Sequence, residues 1–160
     1  MDAPHEHRTL RRVTSWTLRI CSAAALALDS YVHADLAGRY DPNRDAAISQ
    51  GDLFRIEAAV SALAAVVILL VATRITWAFV FVVAASAFGA VVLYRYHDVG
   101  AIGPLPDMYE PSWYQEKSLS AIAEGIATVS AVLGYLTTFR GRWIAYPRRR
   151  TRVAERVALK

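Results

Sequence analysis

The sequence predicts an all-α membrane protein: an antiparallel bundle of four transmembrane helices with a structured outer loop between the third and the fourth. Three observations carry this prediction. The chain has 160 residues, 55% hydrophobic against 20% charged, with a mean hydropathy of +0.26. Long stretches hold no charge at all. The Lys and Arg residues gather in alternate connections. Disorder is excluded, because a disordered chain needs more charge and less apolar surface. A disulfide scaffold is excluded too, because Cys21 has no second cysteine to meet.

A bilayer core of ~30 Å takes ~20 predominantly apolar residues in a helix. The stretches 53–73 and 75–94 meet that length with no charge from Ala58 to Ala72 and none from Ile75 to Tyr94, and 119–139 meets it with one acid, Glu124. The first span, 13–37, is more polar, carrying Arg19, Asp29, His33 and Asp35 around ICSAAALAL. It has a rival reading as a cleaved signal peptide, with a basic start, a short apolar stretch and small residues at Ala34 and Ala37. Against that, Asp29 and His33 stand four apart and so share one helix face, leaving Leu26, Ala27, Val32 and Leu36 to meet lipid or neighbouring helices.

Charge sets the orientation. Residues 1–12 hold Arg8, Arg11 and Arg12, the turn between spans two and three holds Arg74, and the tail 140–160 is rich in Arg. The other two connections are acidic: Asp35, Asp41, Asp45 and Asp52 outnumber Arg39 and Arg44, and His97–Glu116 has no Lys or Arg. The expected location is therefore the cell membrane, with both termini cytoplasmic. The basic tail is read as a topology signal and a contact for anionic lipid, at ~1 kcal/mol per residue near the surface. Nucleic acid is not expected, because no binding motif accompanies the charge.

The ionisable residues fall at one depth. With helix ends near Ala34, Leu53, Tyr94 and Ser118, Asp29 and Glu124 lie ~8–9 Å below the outer surface and Glu57 ~6 Å below it. Arg55, Arg95, His33, His97 and Lys117 sit near the rim, and Glu116, Ser120 and Glu124 recur every four residues on one face of the last span. A charge inside the bilayer costs ~2.5–3.5 kcal/mol on insertion scales, so such groups turn inward or toward a wet cavity. Asp29, His33, Arg55, Glu57, Arg95, His97, Lys117, Ser120 and Glu124 are thus the candidate pocket residues. The alternative is an ion-pair network that fixes helix register.

Two histidines at the outer interface raise haem, copper or zinc as cofactors, with His33, His97 and Asp98 as the candidate ligands. No His-x-x-His or Cys-x-x-Cys spacing accompanies them. Residues 41–52 partly match a calcium loop through Asp41, Asn43, Asp45 and Asp52, but Ala46 stands where Gly is needed and Asp52 replaces the bidentate Glu. The simpler reading is a polar turn in which Ser49 or Asp52 caps the second span.

The connection HDVGAIGPLPDMYEPSWYQE is broken by Pro and Gly, yet it carries Ile102, Leu105, Met108, Tyr109, Trp113 and Tyr114. These groups need burial, so the segment is expected to fold back over the helix ends, either as an interfacial cap or as a lid built from Met108, Tyr109, Glu110, Trp113 and Tyr114. The pairs Ala85/Gly89, Ala121/Gly125 and Ser130/Gly134 are small-xxx-small spacings that permit close helix contact.

Four short spans, charged residues at the outer ends and the run MYEPSWYQEKSLSAIAEG resemble uncharacterised actinobacterial four-helix membrane proteins. More loosely, the layout of residues 13–139 is similar to DoxX-like proteins, some of which are tied to quinone or thiol redox systems. That resemblance implies a small redox-associated or accessory membrane protein. No DoxX motif carries over residue by residue, and the lone Cys21 speaks against dithiol chemistry.

The leading expectation is a binding or accessory membrane protein with an outward-facing polar pocket, working in a homo-oligomer or a larger membrane complex. The alternatives are a metal- or haem-binding redox protein using His33 and His97, and a proton-coupled transporter working as an oligomer, with Asp29 and Glu124 as carriers. The residues lean away from an enzyme. No Gly-x-Ser-x-Gly marks a hydrolase.

Overall fold

The computed structural model of the chain describes residues 3–143. Four α-helices account for most of it: α1 (Ala3–Ala37), α2 (Gln50–Leu70), α3 (Arg74–Tyr96) and α4 (Gln115–Trp143). A single 3-10 turn, Gly38–Tyr40, follows α1, and no strand is present among the described residues. The tail beyond residue 143, which holds most of the basic residues expected to meet anionic lipid, lies outside the described residues.

Helix ends fall where the side chains dictate. Ser49 caps α2: its hydroxyl accepts from the Asp52 N–H while the Asp52 carboxylate reaches back to the Ser49 N–H, a reciprocal capping box. The polar-turn reading of 41–52 therefore holds. The supposed calcium ligands serve other bonds: Asp41 grips Arg55, and Asn43 donates to Gln50 Oε1 (2.6 Å) and to the Asp107 carbonyl (3.0 Å). Thr73 caps α3 through the Thr76 N–H, so only residues 71–73 separate α2 from α3. At the C-terminal end of α2, the Arg19 guanidinium donates to the Ile68 carbonyl (2.9 Å) and to that of Leu69. A cation on the orphan carbonyls of a helix end satisfies them and complements the helix dipole. This explains why α1 tolerates an arginine at this depth.

Helix α1 packs against α2 and α4, and α3 packs against α4 and, less extensively, α2. The shared interior is small-residue rich: Ala23, Leu26, Ala64, Ile68, Trp77, Val80, Ala84, Ala123, Ala127 and Ala131 are buried together. Trp77 is the largest of them, and its indole lies directly over Gly134, where any Cβ would overlap the ring. Of the small-residue pairs in the sequence, Ser130/Gly134 is thus the one whose glycine leaves no space for a Cβ. Gly89 faces open space.

The exterior is apolar. Leu63, Leu70, Ile75, Val82, Ile122 and Val129 are each more than half exposed, while Asp29, His33, Lys117, Ser120 and Glu124 are buried. Water would favour the reverse arrangement, and lipid favours this one. Three helices, α2, α3 and α4 (to Thr138), are long and apolar enough to cross a membrane. The first span is not among them, since Arg11, Arg12, Arg19, Asp29 and Asp35 make α1 too polar by composition. Two of those residues find partners on neighbouring helices instead, Arg19 on α2 and Asp29 on α2 and α4. Leu26, Val32 and Leu36 are buried, whereas Ala27 stays exposed.

The two longer connections meet. The Ile48 N–H donates to the Pro104 carbonyl (3.1 Å), the Asp107 N–H to Asp45, and the Glu110 N–H to the Tyr94 carbonyl near the end of α3. Residues 97–114 are irregular but pinned. Ile102 and Leu105 bond each other around Gly103, whose φ of 58° favours a residue without Cβ. Pro106 is buried.

Candidate functional site

Beneath these connections, α1, α2 and α4 each bring one acid to the interior. The local pattern repeats, since each acid has a hydrogen-bonding partner four residues away on its own helix: His33 for Asp29, Ser61 for Glu57 and Ser120 for Glu124. That spacing stacks the pair on one face, so turning the acid inward turns its partner inward too.

The pairs interlock around Asp29. Its Oδ1 is 2.6 Å from Ser120 Oγ and 3.0 Å from His33 Nδ1, and its Oδ2 is 2.8 Å from Ser61 Oγ. Ser61 Oγ is also 3.0 Å from Glu57 Oε1, and Ser120 Oγ is 2.9 Å from Glu124 Oε1. Glu124 is 0% exposed and Asp29 1% exposed. The second oxygen of Glu124 is buried with no hydrogen-bond partner. The Ser30 hydroxyl ties α1 to the Ala58 carbonyl of α2 (2.7 Å) beside this network.

A cavity of about 290 Å³ adjoins the network. His33, Glu57, Ser120 and Lys117 supply its polar wall, with Phe54, Ala87 and Val91 among its apolar lining. Leu105, Met108, Glu110 and Tyr114 from the last connection line it as well. Lys117, only 8% exposed, donates its ammonium to the Glu110 carbonyl and so ties this roof to α4. Tyr114 and Tyr40 share a hydroxyl–hydroxyl bond of 2.9 Å that joins the two connections. A larger depression of about 590 Å³ beside Phe88, Ile122, Gly125 and Val129 is almost wholly apolar and lies on the outer faces of α3 and α4.

Of the residues expected at the pocket, Asp29, His33, Glu57, Ser120 and Glu124 are joined by hydrogen bonds, and Lys117 lines the same cavity. Arg55 and Arg95 are elsewhere. Arg55 forms a two-pronged pair with Asp41 (2.6 and 2.7 Å), because its forked guanidinium matches both oxygens of a carboxylate. Arg95 lies over the rings of Tyr96 and Trp113. Of the expected lid residues, Met108, Glu110 and Tyr114 line the cavity, whereas Tyr109 and Trp113 are exposed and do not.

His97 and Asp98 are exposed at the end of α3 and join no cluster with His33. The ligand set His33, His97 and Asp98 is thus not assembled: His33 is buried in the network on α1, whereas His97 and Asp98 are exposed past the end of α3. Asp29, His33 and Glu124 instead each place one ligand-type atom within 4.8 Å of the others. A cation there would have to displace the bonds that Asp29 already receives from His33, Ser61 and Ser120. The donor set fits a hydrogen-bond network better than a coordination shell.

Ser61, Gln50, Phe54 and Tyr40 are additions to the expected set. Ser61 has a legible signal, its four-residue spacing from Glu57. No protein-family model matches the chain, and neither a curated protein nor a solved structure is significantly similar to it.

Proposed function

We propose that this chain is a small binding protein of the cell membrane: an antiparallel four-helix bundle with both termini cytoplasmic and its polar cavity facing outward. The observation that carries the reading is the cavity of about 290 Å³, set between an apolar wall and the Asp29-centred network and roofed by Leu105, Met108 and Tyr114. Concave sites with an apolar lining and a few convergent polar groups are the usual form of a small-ligand pocket. The occupant has a small apolar body and one polar head, which meets Glu57, Ser120 or Lys117. The proposal extends to an accessory role within a homo-oligomer or larger, redox-associated membrane assembly, which rests on the layout of the spans in the sequence; the close approach of α3 and α4 at Gly134 is made within one chain. The basic tail would hold its end of the chain to anionic lipid.

Native mass spectrometry of the detergent-solubilised protein tests this. The wild type should carry a small molecule or gain thermal stability from short amphiphiles with an amine or hydroxyl head. Ala87→Leu, which fills the cavity from α3, should lose both responses and keep its helicity. A wild type that carries nothing and whose unfolding midpoint no such amphiphile moves would overturn the proposal.

A further inference from the structure

The Asp29 network has more hydrogen-bond contacts than its serines have hydrogens. A serine hydroxyl carries one hydrogen and can donate once. Ser120 Oγ nevertheless stands within hydrogen-bond distance of two carboxyl groups, Asp29 (2.6 Å) and Glu124 (2.9 Å). Ser61 Oγ does the same between Asp29 (2.8 Å) and Glu57 (3.0 Å). In each trio one contact is made by the serine hydrogen, and the other needs a hydrogen on the acid. Asp29 accepts from three donors, the two serines and His33, so the negative charge belongs there. Glu57 and Glu124 then donate to their serines as neutral acids. The cost of crowding three bare carboxylates, two of them buried and Glu57 partly so, in a lipid-facing fold points the same way.

We propose that Glu57–Ser61–Asp29–Ser120–Glu124 is a proton relay crossing three helices, which holds two protons among three carboxyl groups and links the cavity to the buried Glu124. Glu57 and Ser120 line the cavity and Glu124 does not. The transfer balances without any reactant beyond a base or water in the cavity. Glu57 first releases its proton to that acceptor. Glu124 then passes its proton to Ser120 Oγ as Ser120 passes its own to Asp29 Oδ1: two O–H bonds break, two form, and the charge moves from Asp29 to Glu124. The Asp29 carboxyl rotates and hands a proton through Ser61 to Glu57. One proton has left Glu124 for the cavity, and both hydroxyls are intact. The other titratable groups facing this path are His33 from α1, Lys117 from α4, Glu110 of the roof and the phenols of Tyr40, Tyr94 and Tyr114. The relay needs no bound ligand, so it stands or falls separately from the binding reading.

Infrared spectroscopy of the ligand-free protein in lipid tests it. At neutral pH the wild type should show carboxylic-acid carbonyl absorption with two contributions, one removed by Glu57→Gln, the other by Glu124→Gln, and neither by Asp29→Asn. On transfer to D₂O, the Glu124 contribution should exchange at least tenfold more slowly in Ser120→Ala and also in Ser61→Ala than in wild type, and Ser120→Thr should restore the rate; wild-type exchange in Ser61→Ala would overturn the path through Asp29 and Glu57. Absence of protonated carboxyl absorption in the wild type would overturn the proposal. So would a Glu124 contribution that exchanges equally fast in Ser120→Ala, or loss of a contribution in Asp29→Asn with both glutamates silent. The Thr variant retains the hydroxyl and guards against reading misfolding as loss of relay.

Discussion

His33 Nδ1 lies 3.0 Å from Asp29 Oδ1 and 3.1 Å from the Asp29 main-chain carbonyl, one helical turn away, with both side chains buried. The imidazole edge packs against the Phe54 ring of α2, with centroids 5.2 Å apart. The pair therefore joins the polar network to the apolar wall of the cavity. Removing one partner of such a buried pair leaves the other's polarity unanswered, a loss of about 3–5 kcal/mol. Asp29→Ala is expected to lower stability by that order, with Asp29→Asn closer to wild type because its amide still accepts a hydrogen bond from a neighbouring serine. Equilibrium unfolding in mixed micelles measures the difference. Equal midpoints for the Ala variant and wild type would show that the network carries no stability.

Trp77 and Gly134 make a close contact between α3 and α4, with the indole seated where a Cβ would stand. The tryptophan is 1% exposed and packed in the core, and a Cβ at Gly134 would overlap its ring. Gly134→Val should therefore overpack the interior and cost about 1–3 kcal/mol. Gly125→Val, whose nearest neighbour is a Phe88 ring atom 3.8 Å from the added Cβ, should cost less. A thermal melt followed by circular dichroism distinguishes the two, and the ranking would fail if Gly125→Val proved the more damaging.

Where α1 hands over to α2, the Arg55 guanidinium clasps Asp41 and holds its carboxyl below the usual carboxylate range. A group lowered in this way adds stability above its unfolded value, ~3.9, and the contribution is lost as pH falls through the folded value. Both partners are substantially exposed, so the effect is small and screened by salt. Asp41→Asn should flatten the acid limb of the stability profile at low ionic strength and leave the neutral plateau nearly unchanged. Profiles of wild type and variant that coincide at low salt would show that the pair adds nothing.

Most of the helical layout was legible because a membrane imposes length and charge rules on a sequence. The stretches 53–73 and 75–94 overlap α2 and α3 closely, since apolar runs of that length have few other fates. Helix α1 was less legible. It starts at Ala3, well before the apolar stretch, in a mixed run where Glu6, Arg8, Arg11 and Arg12 favour helix but carry no apolar signal. The convergence of Asp29, Glu57 and Glu124 followed from the penalty on charge in lipid. What depth alone could not separate was which cations stay outside. Arg55 and Lys117 look alike by that measure, yet Arg55 finds Asp41 on the connection while Lys117 finds the Glu110 carbonyl at the roof. Those partners sit on irregular segments, whose path no periodicity encodes. Depth alone does not separate the two histidines either: His33 is turned inward on α1, while His97, the C-cap of α3, is exposed.

One of the bonds that hold the roof of the cavity joins Tyr40 to Tyr114, 2.9 Å between hydroxyls. Burial pushes the Tyr114 phenol above the ordinary tyrosine value, and the Tyr40 hydroxyl adds to the shift. Raised in the folded state, the group adds stability that is complete below the unfolded value, ~10, and is lost as pH climbs through the folded one. Here the sign is that of an acid whose neutral form is favoured by folding, so the ionised phenol works against the native state. Wild-type protein should therefore lose stability on the alkaline side more steeply than Tyr114→Phe, which has no phenol to ionise. At neutral pH the Phe variant should lose about 1 kcal/mol, the net worth of one hydrogen bond, and Tyr40→Phe a similar amount. The double variant should then cost less than the sum of the two, since both remove the same bond. Unfolding midpoints of the four proteins across the alkaline range measure all three effects. Strict additivity would show that the two hydroxyls do not act as a pair.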